Sequence, residues 1–140
     1  MQKIHFYPFD RNPSLKERKK LKEFIQNIFF KEKTEFASLS YIFCSDEHLL
    51  RINKDFLYHD FYTDVITFDL SNNKKIEGEI YLSIDRIKDN AKQGKISFKE
   101  ELHRVIFHGA LHLCGYADKK KAEAIKMRFM EDKYLNQYFK

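Results

Sequence analysis

The stretch His108-Gly-Ala-Leu-His112-Leu-Cys-Gly115-Tyr-Ala-Asp118 decides how the rest of the chain is read. Residues four apart on a helix share a face, so His108 and His112 project one turn above the other. Gly115 stands where a helix ends in the left-handed conformation that suits glycine. A chain turning back there brings Asp118 toward the two rings. Two imidazoles and a carboxylate make three protein ligands and leave a fourth position open on a tetrahedral ion. Structural zinc sites are usually closed by four ligands, so this pattern is the catalytic kind.

The surroundings agree with a small soluble enzyme. With 140 residues, 43% hydrophobic and 16% aromatic, the chain supplies the core of a single domain over 1–140. Only four Gly and two Pro occur, too few for a long flexible linker. A net charge of +5 and a pI near 9.1 favour an anionic partner, nucleic acid above all, although a merely basic surface has the same charge. Two cysteines, Cys44 and Cys114, cannot make a disulfide framework, and a reducing cytoplasm is the expected compartment. Neither a signal segment nor a membrane span is expected.

Outward from the histidine stretch, the capping pair Ser97 and Glu100 starts its helix, which runs from about Phe98 to Cys114. Leu102, Val105, Ile106 and Leu111 anchor it on a sheet. After Asp118 a last helix turns Ala122, Ile125, Phe129 and Met130 inward. Upstream, Ile4 to Phe9 reads as a strand. A helix follows, with Ser14 and Glu17 as capping box and Leu21, Ile25 and Ile28 at helical spacing. Phe36 to Cys44 alternates as a second strand, and Ser45 opens a helix carrying Leu49, Asn53 and Phe56. Val65 to Phe68 and Ile76 to Ser83 are strands of a hairpin joined by the turn 71–75. Ser83 and Asp85 begin a short helix that Gly94 ends. The fold class is α+β, a four-stranded mixed sheet packed with about five helices.

The spacing matches the metzincin zinc helix, H-E-x-x-H-x-x-G-x-x-H, at both helical histidines and the glycine, with Asp118 at the third ligand position. One ion per chain is expected. Zinc suits imidazole with carboxylate, and nickel or manganese fits the same cage. Gly109 stands where those peptidases carry a general-base Glu, so their mechanism lacks its proton acceptor here. The metal then acts by lowering the pKa of bound water and polarising an electrophile.

His108-Gly-x-Leu-His-Leu-x-Gly-Tyr116 closely resembles the signature of the YbeY family of bacterial rRNA maturation factors. Two further blocks occur in the same order: Asn53-Lys-Asp-Phe56 with His59-Asp60 and Thr63-Asp64-Val65-Ile66-Thr67-Phe68, then Gly78-Glu79-Ile80. The resemblance extends from near Tyr41 to about Asp132. It implies a metal-dependent, single-strand-specific endoribonuclease, with single-stranded RNA, ribosomal RNA and the small ribosomal subunit as partners, and neither DNA nor membrane.

This chain departs from the family at two positions. Where the usual motif has a third histidine, Asp118 falls in register; the carboxylate lowers the net charge of the centre and weakens the ion as a Lewis acid. Leu57 stands where many relatives have an arginine thought to serve cleavage, and leucine cannot hold a phosphate. Another cation must stabilise the developing charge. Lys119, Lys120 and Lys121 are nearest in sequence, with Arg51, Lys54 and Arg104 further off; the lysine run also reads as the solvated first turn of the last helix. His103 is expected to pack, Cys114 to be a core thiol, and Tyr116 to line the cleft. Glu123 approaches from the last helix, and His59 and Asp60 position substrate or cap a loop. The competing reading is a non-catalytic RNA-binding assembly factor with a structural metal. A metallopeptidase suffers most from Gly109.

Overall fold

The computed structural model describes residues 2–71 and 75–140. Its elements in order are β1 (Lys3–Pro8), α1 (Arg18–Lys31), β2 (Phe36–Cys44), α2 (Asp46–Leu57), β3 (Val65–Asp69), β4 (Ile76–Ser83), α3 (Ile84–Gly94), α4 (Phe98–Leu113) and α5 (Lys121–Tyr138). The strands form one mixed sheet in the order β1-β2-β4-β3. β1 and β4 both run parallel to β2, while β3 pairs antiparallel with β4 as the second arm of a hairpin. The expected α+β architecture, with four strands and five helices, is the one observed. The turn expected at 71–75 falls partly outside the described residues.

Alternation assigns the two faces of the sheet. Leu39, Tyr41 and Phe43 of β2 and Ile80 and Leu82 of β4 join the main core with α1 and α4. Cys44 and Ile66 belong to a smaller cluster with Leu49 of α2. No helix among the described residues is long and apolar enough to cross a membrane.

Two glycines let α4 lie close against the central strand. A Cβ at Gly109 would sit 2.7 Å from Cγ2 of Ile80, and one at Gly78 would sit 2.6 Å from Cδ1 of Leu113. Each position therefore meets its opposite element with no room for a side chain. Tyr41 adds a tie, its buried hydroxyl donating to the Ile106 carbonyl at 3.2 Å. Gly109 thus faces the sheet, and a glutamate there would have nowhere to go.

The other helix starts show which capping signals hold. Ser45, Ser83 and Ser97 each accept from the backbone N–H three residues on. The starts of α2 and α3 lie side by side and cap one another: Asp85 accepts from the Asp46 N–H, and Ser83 donates to the Asp46 carboxylate. The Ser14–Glu17 box does not form. Both residues have positive φ (54° and 51°), α1 begins only at Arg18, and the Asn12 side chain takes the Ser14 N–H. Gly94 is still helical, and Lys95 adopts the left-handed cap instead.

The last helix corrects the sequence reading. Ile125 and Phe129 are exposed, and Ala122 with them. The inward face carries Met127, Met130, Glu131, Tyr134, Leu135 and Tyr138, so of the four residues expected inside only Met130 is buried. The physical reason is Glu131, a charged residue that apolar periodicity passes over but that the histidine helix draws inward.

Candidate metal centre and substrate cleft

The centre is built by the end of α4 and the turn after it. Gly115, at φ +102°, reverses the chain, and the hydrogen bonds Gly115 N–H to His112 O and Tyr116 N–H to Leu111 O close a Schellman turn. The reversal serves the site twice. It presents the Tyr116 carbonyl to Nδ1 of His112 at 2.8 Å, and it returns Asp118 beneath both rings. Nε2 of His108 and Nε2 of His112 each lie 3.3 Å from the same Asp118 oxygen. One ligand atom from each residue falls within a sphere where all lie within 4.8 Å of one another.

The rings are oriented from behind. Glu131 on α5, buried, receives Nδ1–H of His108 at 2.6 Å. With both Nδ1 atoms donating, both Nε2 lone pairs face the shared point, the arrangement by which carboxylates and carbonyls fix metal-binding histidines. The donor set and its tautomers therefore fit a divalent ion. Glu131 is itself held by Arg104, whose guanidinium lies 3.2 Å from Glu131 and 2.8 Å from Asp132. Burial works against a charged His108, but the hydrogen bond and charge of Glu131, then Asp118 and Asp64, more than offset it, and its pKa is raised.

These residues form the floor of an open cleft of about 570 Å³. One wall is α4 with Asp118 and Lys119. The other is the end of α2 with the loop into β3, including Asn53, Leu57, His59, Phe61 and Thr63, and Asp64 to Thr67 beyond it. Asp64 lies in the Thr63–Phe68 segment, where spacing along the chain marks no role for it. Here its half-buried carboxyl lines the cleft along with His108, and burial pushes it above the ordinary range, partly countered by the His108 charge.

The remaining sequence candidates separate clearly. Of the proposed cations, Lys119 lines the cleft; Lys120 caps α5, its N–H bonded to Glu123, and Arg51 is exposed on α2 away from the cleft lining. Lys54 pairs with Asp60 at 3.3 Å. Arg104 is committed to Glu131 and Asp132. Glu123 therefore caps its own helix and does not approach the centre. The Tyr116 ring points away from the cleft, its hydroxyl donating to Glu32 at 2.7 Å, and only its backbone serves the site. His103 packs as expected, stacked on Tyr138 with ring centroids 5.2 Å apart. Cys114 is half-buried, and burial pushes its thiol up to about 12, an unreactive state.

Glu131 is the residue that reading by sequence missed. Its signal was weak but present: a lone acid among Met127, Met130 and Tyr134 on a helix following the histidine pair.

Known proteins are similar to this chain along nearly its whole length. The family model for endoribonuclease YbeY matches residues 10–139. A Cytophaga hutchinsonii protein described as endoribonuclease YbeY is 51% identical over 134 residues, spanning 95% of this chain and 94% of its own. Its counterpart in Flavobacterium johnsoniae is 40% identical over 129 residues, with 92% and 93% covered. The solution structure of a Thermotoga maritima protein superposes with a TM-score of 0.62 at 27% identity, covering 99% of this chain and 89% of that one. The chain belongs to the endoribonuclease YbeY family.

Proposed function

We propose that this protein is a metal-dependent, single-strand-specific endoribonuclease acting on the RNA of the small ribosomal subunit. His108, His112 and Asp118 hold one Zn2+, which suits a set of two imidazoles and one carboxylate. When bound, such an ion lowers the pKa of water and polarises a phosphoryl oxygen. The observation that carries this reading is the convergence of two Nε2 atoms on one Asp118 oxygen, at the floor of a cleft open to a polymer.

The chain's own residues divide the remaining work. Glu131 and the Tyr116 carbonyl hold the imidazoles in the tautomer that leaves Nε2 free. Asp64 accepts the proton of the attacking hydroxyl, whether from water or from the ribose, and so supplies the base that Gly109 cannot. Lys119 balances charge on the phosphate in place of the arginine that Leu57 lacks.

The test is cleavage of single-stranded and duplex RNA, including a small-subunit precursor, by highly purified wild-type and His112→Ala proteins. The reading expects cutting of single strands by the wild type alone. Equal cleavage by His112→Ala overturns it. So does binding of RNA and ribosomal subunits by both proteins without cleavage by either, the outcome that marks an assembly factor. Metal analysis after purification without chelators expects one zinc per chain.

A further inference from the structure

The end of α2 and the loop toward β3, Phe56-Leu-Tyr-His-Asp-Phe-Tyr62, hold an unusual density of aromatic surface. Some of it has a partner within the chain. Phe56 meets the ring of Phe68 edge-on, and Tyr62 donates to Glu47 at 2.7 Å and lies beneath the Arg86 guanidinium. His59 and Phe61 are different. Their rings stack on each other, centroids 5.0 Å apart and planes 21° from parallel, and both line the metal cleft. Phe61 remains 55% exposed.

This pair is pinned from below by a single buried residue. The Asn53 carbonyl accepts the His59 N–H at 3.1 Å, and the Asn53 side chain, only 2% exposed, donates to the Phe61 carbonyl at 3.0 Å. Tyr58, just before them at the end of α2, takes a left-handed backbone (φ 58°), an uncommon state for a bulky residue. A loop that kept two rings in water merely by chance would not be fastened to the core at both of their backbones.

We propose that His59 and Phe61 form a base-stacking subsite, which holds an unpaired nucleobase at the mouth of the metal cleft and thereby selects single strands. The inference rests on the endoribonuclease reading and names the part of the cleft that recognises the substrate's bases. The chemistry is general. Proteins that hold single strands pair a positive groove with exposed rings, since every base has a face to stack and in a duplex those faces are already covered by neighbouring base pairs. Here Lys119 lines the same cleft beside the carboxylates Asp64, Asp69 and Asp118, and the attraction to a polyanion comes from the chain's net charge of +5. The stacking rings supply binding that Leu57, unlike an arginine, cannot draw from the phosphate. The subsite acts on whichever base lies beside the cut, so it imposes strandedness more than sequence.

The experiment measures fluorescence anisotropy of a labelled single-stranded oligoadenylate, the same strand carrying abasic ribose positions, and a duplex of equal length. Wild type, Phe61→Leu, Phe61→Tyr and the His59→Ala/Phe61→Leu double variant are compared at several salt concentrations, each with its metal content and thermal melt verified. Stacking predicts that Phe61→Leu weakens oligoadenylate binding between about five- and a hundredfold, with an unchanged salt slope. It predicts no loss on the abasic strand, little change on duplex, and recovery in Phe61→Tyr. If the double variant binds oligoadenylate as wild type does, the subsite is disproved while the nuclease reading stands. Equal weakening on normal and abasic strands assigns Phe61 a structural role and also overturns it. A wild type that neither binds nor cuts single strands removes both readings together.

Discussion

The two walls of the cleft are built on opposite principles. The helix wall sets His108 and His112 on the most enclosed helix of the fold, packed on β4 through Gly109 and backed by buried Glu131. The loop wall leaves Leu57, His59 and Phe61 in contact with solvent, and Asn53 secures the backbone of His59 and Phe61. Ligand geometry tolerates little error, so it is placed where packing and a second layer of hydrogen bonds leave little freedom. Recognition of a flexible polymer needs accessible rings at a fixed place, and an anchored loop provides that.

The sharpest way to break the comparison is on the helix wall. His108→Ala is expected to abolish stoichiometric metal, read by elemental analysis, and to cut RNA cleavage by roughly a hundredfold or more, since even groups that only orient a ligand cost 10–100-fold. A variant that kept its metal would show that the rigid wall is not what holds the ion.

Glu131→Gln tests the second layer by itself. It keeps the shape but exchanges a carboxylate for an amide, and metal affinity measured by competition with a chromogenic chelator is expected to fall about tenfold to a hundredfold. Its pH dependence carries a sign. The ion needs a neutral His108, and Glu131 raises the His108 pKa in the metal-free protein, so protons compete with metal up to a higher pH in the wild type than in Glu131→Gln. Identical pH dependence in the two proteins would remove Glu131 as the partner that matters.

On the loop wall, Leu57→Arg returns a cation to the edge of the cleft. Cleavage at low salt is expected to rise by about tenfold, less than the losses above, because Lys119 already lines the same cleft. A drop in activity would mean that the apolar side chain at Leu57 is itself used by the substrate.

The smallest effect lies at the far end of α4. Burial lowers the His103 pKa below 6.5, partly countered by its hydrogen bond to the Lys99 carbonyl. The unfolded chain therefore binds the proton more readily than the folded one. The contribution of His103 is present above pH 6.5 and is lost as pH falls through the depressed folded value. Thermal melts between pH 7 and pH 5 are expected to fall less steeply for His103→Phe than for wild type, and parallel curves would exclude this histidine as an acid-sensitive element.

Local patterning carried a good deal unaided. Alternation in Phe36–Cys44, serine caps at Ser45, Ser83 and Ser97, and the four-residue spacing of His108 and His112 are all properties of neighbours along the chain. Even Gly115 and Asp118 were legible, because a left-handed glycine after a helix leaves the returning chain few directions. What lay beyond reach was contact between distant residues. The Glu131 carboxylate meets His108 across 23 positions, and its polarity hid the true inner face of α5 behind the exposed Ile125 and Phe129. Gly109 looked like a missing base until Ile80 showed that the position has no space for one. The sequence by itself determined that His108, His112 and Asp118 come together and which elements bear them, since this follows from spacing along a helix and the turn that ends it. Only the tertiary structure decided which groups orient those ligands and which aromatic rings reach the cleft, because burial and pairing are set by neighbours that the chain order does not name.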